Sequence, residues 1–239
     1  MSEFYHISEV IRNLWAEYEK TSEYRSDTQP IVGIKQDHPI IIRREEEGLG
    51  RIVDRLENEL SNSKILYLKK LRDRVPSEWV FEWLTYHRIL FRRVLKSCGV
   101  YRSKDVWFDT IEASEKDYKI PSFRLAPSRM SDLAGKVCDL LTQGQETYEE
   151  KLKIMAIIHF EFIRIHPFTD GNGRIGRIII DQLCLAFSLP TVMGGYPRAN
   201  IKQRRAYHEA IKACCFDPDC ARLTQWIKSK IEERTKKLS

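Results

Sequence analysis

The chain has 239 residues, 42% of them hydrophobic, and 40 basic against 34 acidic side chains give it a net charge of +6. That is enough for one large domain with a buried core and no disulfide staples. No apolar run reaches the ~18 residues of a membrane helix, and the opening MSEFYHISEV lacks the layout of a signal peptide, so the expectation is a cytoplasmic protein with no membrane partner. The basic excess is scattered, so no nucleic-acid partner is expected. The six cysteines include no C-x-x-C pair. Cys138 and Cys184 read as small buried hydrophobes, and the group Cys214, Cys215, Cys220 and His208 fits no common zinc spacing.

In chain order, residues 3–20 carry an apolar stripe at helical spacing (Phe4, Ile7, Val10, Ile11, Leu14, Tyr18). Residues 21–42 read as a connecting segment ending in a short strand at Ile40-Ile41-Ile42. Helical patterns follow at 46–61, 64–73 and 77–97, the last with Ser77 as its N-cap. The stretch 99–127 differs: two β-rich runs, Val106-Trp107-Phe108 and Tyr118 to Leu125, flank a polar centre and predict a hairpin. Helices resume at 128–142, 147–165, 174–188, 200–214 and 219–236. The fold class is all-α, a helical bundle with one small β-hairpin.

The chemistry gathers in HPFTDGNGRIGR, residues 166–177. The preceding helix is apolar almost all round, which predicts a central buried element. It must stop near His166, because a residue before proline is pushed out of the α region. Phe168 is the loop's one bulky apolar residue and reads as a core anchor. Gly171 and Gly173 let backbone N–H groups converge, and the next helix opens at about Gly173 or Arg174, with Asn172 placed to cap it. A helix N-terminus with a backbone nest and two guanidinium groups, Arg174 and Arg177, selects phosphate. Asp170 would be repelled by phosphate unless a cation lay between them, which implies Mg²⁺. His166 has the ordinary pKa of a general base at neutral pH. Phosphate, metal and base together point to phosphoryl or nucleotidyl transfer.

The string resembles the signature of the Fic (Fido) family, HPFx[D/E]GNGRxxR, and matches it at every specified position. The resemblance extends over roughly 80–235, through Leu84 to Phe91, the Gly-x-Tyr-Arg turn at 99–102, the hairpin and Tyr207. It divides the chain into a 1–60 N-terminal helical extension of unassigned role and a Fic domain at 61–239. It implies a Fic-fold helical bundle with a β-hairpin flap, and a protein adenylyltransferase with ATP as co-substrate and Mg²⁺ as cofactor. His166 takes the proton from a Ser, Thr or Tyr hydroxyl of a target protein, and that oxygen attacks the α-phosphorus as pyrophosphate leaves. Asp170 holds the metal, and Asn172 with the backbone of Gly171 and Gly173 holds the α-phosphate. Arg174 neutralises the leaving phosphates, Arg177 assists, and Tyr207 is the candidate at the base. The intact Gly-Asn-Gly core sets the chain apart from Doc-type kinases, which the resemblance expects to bind the nucleotide reversed. The flap, with Ile120, Pro121, Ser122 and Phe123 as its edge, would clamp the target by strand pairing.

Fic proteins often carry a self-inhibitory glutamate in a pattern like [S/T]-x-x-x-E-[G/N], paired with the second motif arginine. Glu47-Gly48 is the candidate here, although Arg43 stands where Ser or Thr is expected; Glu233, followed by Arg234, is a weaker match. The remaining options are a separate antitoxin-like inhibitor protein or no such control. Relatives often pair, which makes a homodimer an expectation too. Cys214 stands where some relatives have an amide, which leaves other outcomes open: AMP removal, UMP or phosphocholine transfer, or a non-catalytic nucleotide-binding module.

Overall fold

The computed structural model describes residues 39–106, 120–143, 147–191 and 201–238. The stripe at 3–20, the connecting stretch to residue 38 and the centre of the expected hairpin, 107–119, lie outside the described residues. The first described helix, α1 (Pro39–Asn62), opens on a proline, whose missing N–H is no loss in a first turn. It turns Ile41, Leu49, Ile52, Val53, Leu56 and Leu60 into the core. The short strand expected at Ile40-Ile41-Ile42 is absorbed into this helix. Burying Ile41 outweighs the roughly 0.5 kcal/mol by which β-branching disfavours a helix.

α2 (Lys64–Asp73) is capped by Ser63, whose hydroxyl oxygen accepts the Leu66 N–H at 3.2 Å. α3 (Pro76–Phe91) was expected to start on a Ser77 cap. Instead Val75 flanks it, Pro76 takes the first position, and the Glu78 carboxylate accepts the Val75 N–H at 3.0 Å. The proline pre-sets the helical φ one residue before the serine. α3 also ends at Phe91 rather than 97, because Arg93 turns left-handed (φ 67°). Arg44 of α1 donates to the Arg93 carbonyl at 2.8 Å and so secures that turn. At Gly48 a Cβ would sit 2.4 Å from the Leu90 carbonyl oxygen, so only glycine lets α1 lie this close to α3.

A 3₁₀ turn (Phe123–Leu125) leads into α4 (Ala126–Gln143). α5 (Tyr148–Ile165), α6 (Asn172–Ala186), α7 (Ile201–Ala213) and α8 (Ala221–Leu238) follow. From α4 on, every boundary lies within two residues of the sequence pattern. α5 is central, with α4, α6 and α8 packed on it; α1 lies on α3, and α7 on α8. α6 is buried along almost its whole length. The architecture is all-helical among the described residues. Of the expected hairpin edge, Ile120 to Ser122 have no regular structure and Phe123 opens the 3₁₀ turn. No helix among the described residues is long and apolar enough to cross a membrane.

Candidate active site

The site is built where the central helix α5 stops. His166 caps it in the left-handed conformation (φ 48°, ψ 57°), not the extended one that usually precedes proline. For a residue with a side chain that geometry is strained by about 1–2 kcal/mol, so surrounding contacts must hold it. The His166 N–H donates to Phe162 O at 3.1 Å. Its carbonyl accepts from Arg102 Nε at 2.8 Å, and the next carbonyl, of Pro167, accepts from the Arg102 N–H at 2.9 Å. His166 Nδ1 lies 3.3 Å from Ile163 O. A carbonyl can only accept, so Nδ1 carries the proton and Nε2 keeps the basic lone pair. Burial pushes the imidazole down to about 4; the bond to Ile163 opposes this and the Arg102 charge adds to it. The ring is therefore neutral at pH 7 and able to accept a proton.

Phe168 anchors the loop. It is fully buried and stacks on His87, ring centroids 3.9 Å apart and planes 16° apart. Such burial contributes about 1.5–3 kcal/mol. Asn172 was expected to cap the next helix. It is instead the first residue of α6, and Gly171 flanks the helix. The Asn172 side chain closes the loop: Oδ1 accepts the Phe168 N–H at 2.9 Å and Nδ2 donates to Phe168 O at 2.8 Å. It copies a backbone pair across the turn, which a cap position one residue earlier could not do. Gly171 has φ 82°, and a Cβ there would lie 2.1 Å from the Phe91 ring, so this position demands glycine twice over.

Asp170 is buried, and its Oδ1 accepts the Gly171 N–H at 2.5 Å. Its backbone carbonyl lies 3.0 Å from His87 Nε2. The Gly99 N–H donates to His87 Nδ1 at 2.8 Å, so Nε2 carries the proton and donates to Asp170 O. Burial holds His87 neutral, with a pKa of about 4.

Arg174 and Arg177 are both buried on the first turns of α6. Arg177 Nη1 lies beside Gly173, 3.4 Å from where a Cβ would stand. Arg174 lies over the Phe91 ring at 4.5 Å, with Nη2 3.6 Å from Asp170 Oδ1. Its Nη1 meets Glu45 Oε2 at 2.6 Å. Glu45 was not singled out by the sequence reading, which chose Glu47. Glu47 pairs with Arg43 at 3.1 Å on the exposed face of α1. Helix phase carried the missing signal: Glu45 stands four residues from both Ile41 and Leu49, on the buried stripe, and Glu47 does not. Glu233 pairs with Lys230 on the surface of α8.

The structure thus gathers His166, Asp170, Asn172, Arg174 and Arg177, and adds Glu45, His87 and Arg102, which sequence reasoning missed. Tyr207 is a core residue, with its hydroxyl 2.7 Å from His159 Nε2; His159 Nδ1 in turn meets Gly176 O at 3.2 Å. Cys214 is buried as well. Of the expected docking residues Ile120, Pro121, Ser122 and Phe123, Pro121 is tied to the His166 carbonyl through Arg102, which donates to both carbonyls, and the Phe123 N–H donates to Asp105.

The fold is that of Fic-domain proteins. It aligns with a Fic domain containing signaling protein from Bacteroides thetaiotaomicron at a TM-score of 0.58 and 17% identity, over 96% of this chain and 81% of that one. Residues 81–184 match the Fic/DOC family. It is 31% identical over 67 residues to a protein adenylyltransferase Fic of Aedes aegypti, covering 28% of this chain and 13% of that protein. A Fido domain-containing protein of Dictyostelium discoideum is 29% identical over 102 residues, covering 41% of this chain and 61% of that protein. The chain thus spans less than two thirds of either curated relative.

Proposed function

We propose that the chain is a protein adenylyltransferase that moves AMP from ATP to a Ser, Thr or Tyr hydroxyl of a target protein. One observation carries the reading: the His166 imidazole, held neutral by burial, stands just before the turn that opens α6, with Asp170 near it and Arg174 and Arg177 buried on the first turns of that helix. The intact motif and the adenylyltransferase names of relatives support it. His166 Nε2 takes the hydroxyl proton as the new oxygen–phosphorus bond forms; the bond to the pyrophosphate oxygen breaks and pyrophosphate leaves. The first N–H groups of α6 and the two guanidinium groups stabilise the charge that builds on the phosphates. Asp170 is the residue that would hold Mg²⁺: one hard carboxylate suits a cation that takes its other ligands from phosphate and water. The metal would supply charge neutralisation on the phosphate oxygens.

Glu45 already engages Arg174, so phosphates compete with a carboxylate of the same chain. The target is a protein with an accessible hydroxyl, docked along Ile120 to Phe123; a separate inhibitor protein and a homodimer are further proposed partners. The test is α-labelled ATP with Mg²⁺. Label should appear on a protein target or on the chain itself. His166→Ala should lower its transfer by about 10²–10⁴ while ATP affinity stays within a fewfold. Undiminished labelling by His166→Ala would end the base assignment.

A second reading keeps the site and changes the group: UMP or phosphocholine transfer, or AMP removal. It is favoured by the burial of Tyr207, the candidate at the base, and of Cys214, which stands where some relatives have an amide. Parallel labelling with ATP, UTP and CDP-choline separates these outcomes.

A further inference from the structure

Arg102 lies in the irregular stretch after α3, with its side chain 1% exposed. Each of its four nitrogens donates to a backbone carbonyl. Nε donates to His166 O at 2.8 Å, Nη1 to Lys104 O at 2.8 Å and Nη2 to Pro121 O at 2.5 Å. The backbone N–H donates to Pro167 O. Among the described residues, the anion in reach is Asp105, 3.5 Å from Nη1 and exposed. Asp105 Oδ1 also accepts the Phe123 N–H at 2.7 Å. Lys104 and Pro121 bracket residues 105–120, so a single guanidinium joins the two ends of that stretch. The same guanidinium grips the carbonyl of the catalytic histidine. The irregular stretch that carries Arg102 is also fixed at Gly99, which donates to His87, and His87 donates to Asp170 O.

A buried guanidinium facing carbonyls gains little net stability over an apolar side chain, but its planar fork fixes three directions at once. A lysine ammonium has donors enough for three acceptors, but not in that rigid plane. We propose that Arg102 is a positioning residue that sets the His166 ring and the target-docking edge Pro121 to Phe123 in one register. Arg102 acts through the His166 carbonyl, which is held in a left-handed conformation, and through the Pro121 stem. Displacing the guanidinium releases both, so base and docked hydroxyl lose alignment together. This rests on the adenylyltransferase reading for its meaning, but the contacts it concerns can be tested without turnover.

The experiment compares the full wild-type chain with Arg102→Lys and Asp105→Ala. His166 imidazole resonances and hydrogen exchange at the Phe123 amide are read by NMR. In a folded Arg102→Lys, the His166 resonances should shift and Phe123 exchange should quicken at least about tenfold. Asp105→Ala alters an exposed side chain and should quicken Phe123 exchange while leaving His166 nearly in place. In the α-labelled ATP assay, Arg102→Lys should lower kcat about 10²-fold, the scale of a 1 Å misplacement, with KM for ATP within about twofold. Wild-type His166 resonances in folded Arg102→Lys, or a response at only one of the two places, overturn the proposal. Should Arg102→Lys fail to fold, unchanged Phe123 exchange in Asp105→Ala overturns it. Absence of label from the wild-type chain sinks the adenylyltransferase reading and leaves the NMR result to decide the clasp.

Discussion

The two halves of the proposed site are built differently. The anion half is local: Gly171, Asn172, Gly173, Arg174 and Arg177 lie within the first two turns of α6 and its approach, and their backbone and charge suffice to favour an anion. The base half is assembled from afar. His166 holds its strained conformation because Arg102 grips its carbonyl, and Asp170 O is held by His87 of α3. Charge can be written in a short string, whereas orientation needs fixed points from other elements. One contact breaks the pattern: Glu45 brings a distant carboxylate to the anion half.

The largest expected effect strikes the buried histidines that brace the two halves, His87 under the base half and His159 under α6. Burial lowers both to about 4, from an ordinary 6.5. The folded state therefore disfavours their protonation. Their contribution is complete above about pH 6.5 and shrinks as pH falls toward 4, by about 1.4 kcal/mol per pH unit for each ring. Denaturant titrations at pH 7, 6, 5 and 4 should show the midpoint falling across this window and levelling below it. A flat profile would mean that the rings are hydrated and the bracing is absent.

Next is the anion half. On the proposed function, Glu45→Gln removes a carboxylate that would compete with phosphate at Arg174, so ATP affinity should rise roughly tenfold, equivalent to about 1.4 kcal/mol. Glu47→Gln, on the exposed face, should leave it unchanged. Calorimetry with ATP and Mg²⁺ measures both, and a gain from Glu47→Gln alone would reverse the assignment. The smallest effect is at Tyr207. Tyr207→Phe deletes one buried hydrogen bond to His159 and should lower stability by about 1 kcal/mol. KM for ATP should stay fixed; a severalfold rise would return Tyr207 to the nucleotide side.

The Glu45 and Glu47 outcome shows how sequence reading fails at a site. Three consecutive glutamates differ only in which way the helix turns them, and that phase is set by Gly48 fitting against the α3 carbonyls. Tyr207, the candidate at the base, is a core residue whose hydroxyl meets the buried His159. The strand at Ile40-Ile41-Ile42 failed because local β preference is weak beside burial.

By itself the sequence determined the helical class, the run of helices from α4 to α8, the Phe168 anchor and the motif. Each depends on residues a few positions apart, where backbone geometry alone fixes the relation. Only the tertiary structure decided who holds these groups. Glu45 reaches Arg174 across 129 positions, His87 reaches Asp170 across 83, and Arg102 reaches His166 across 64. Contacts of that separation depend on how whole helices pack, and no local pattern of residues specifies them.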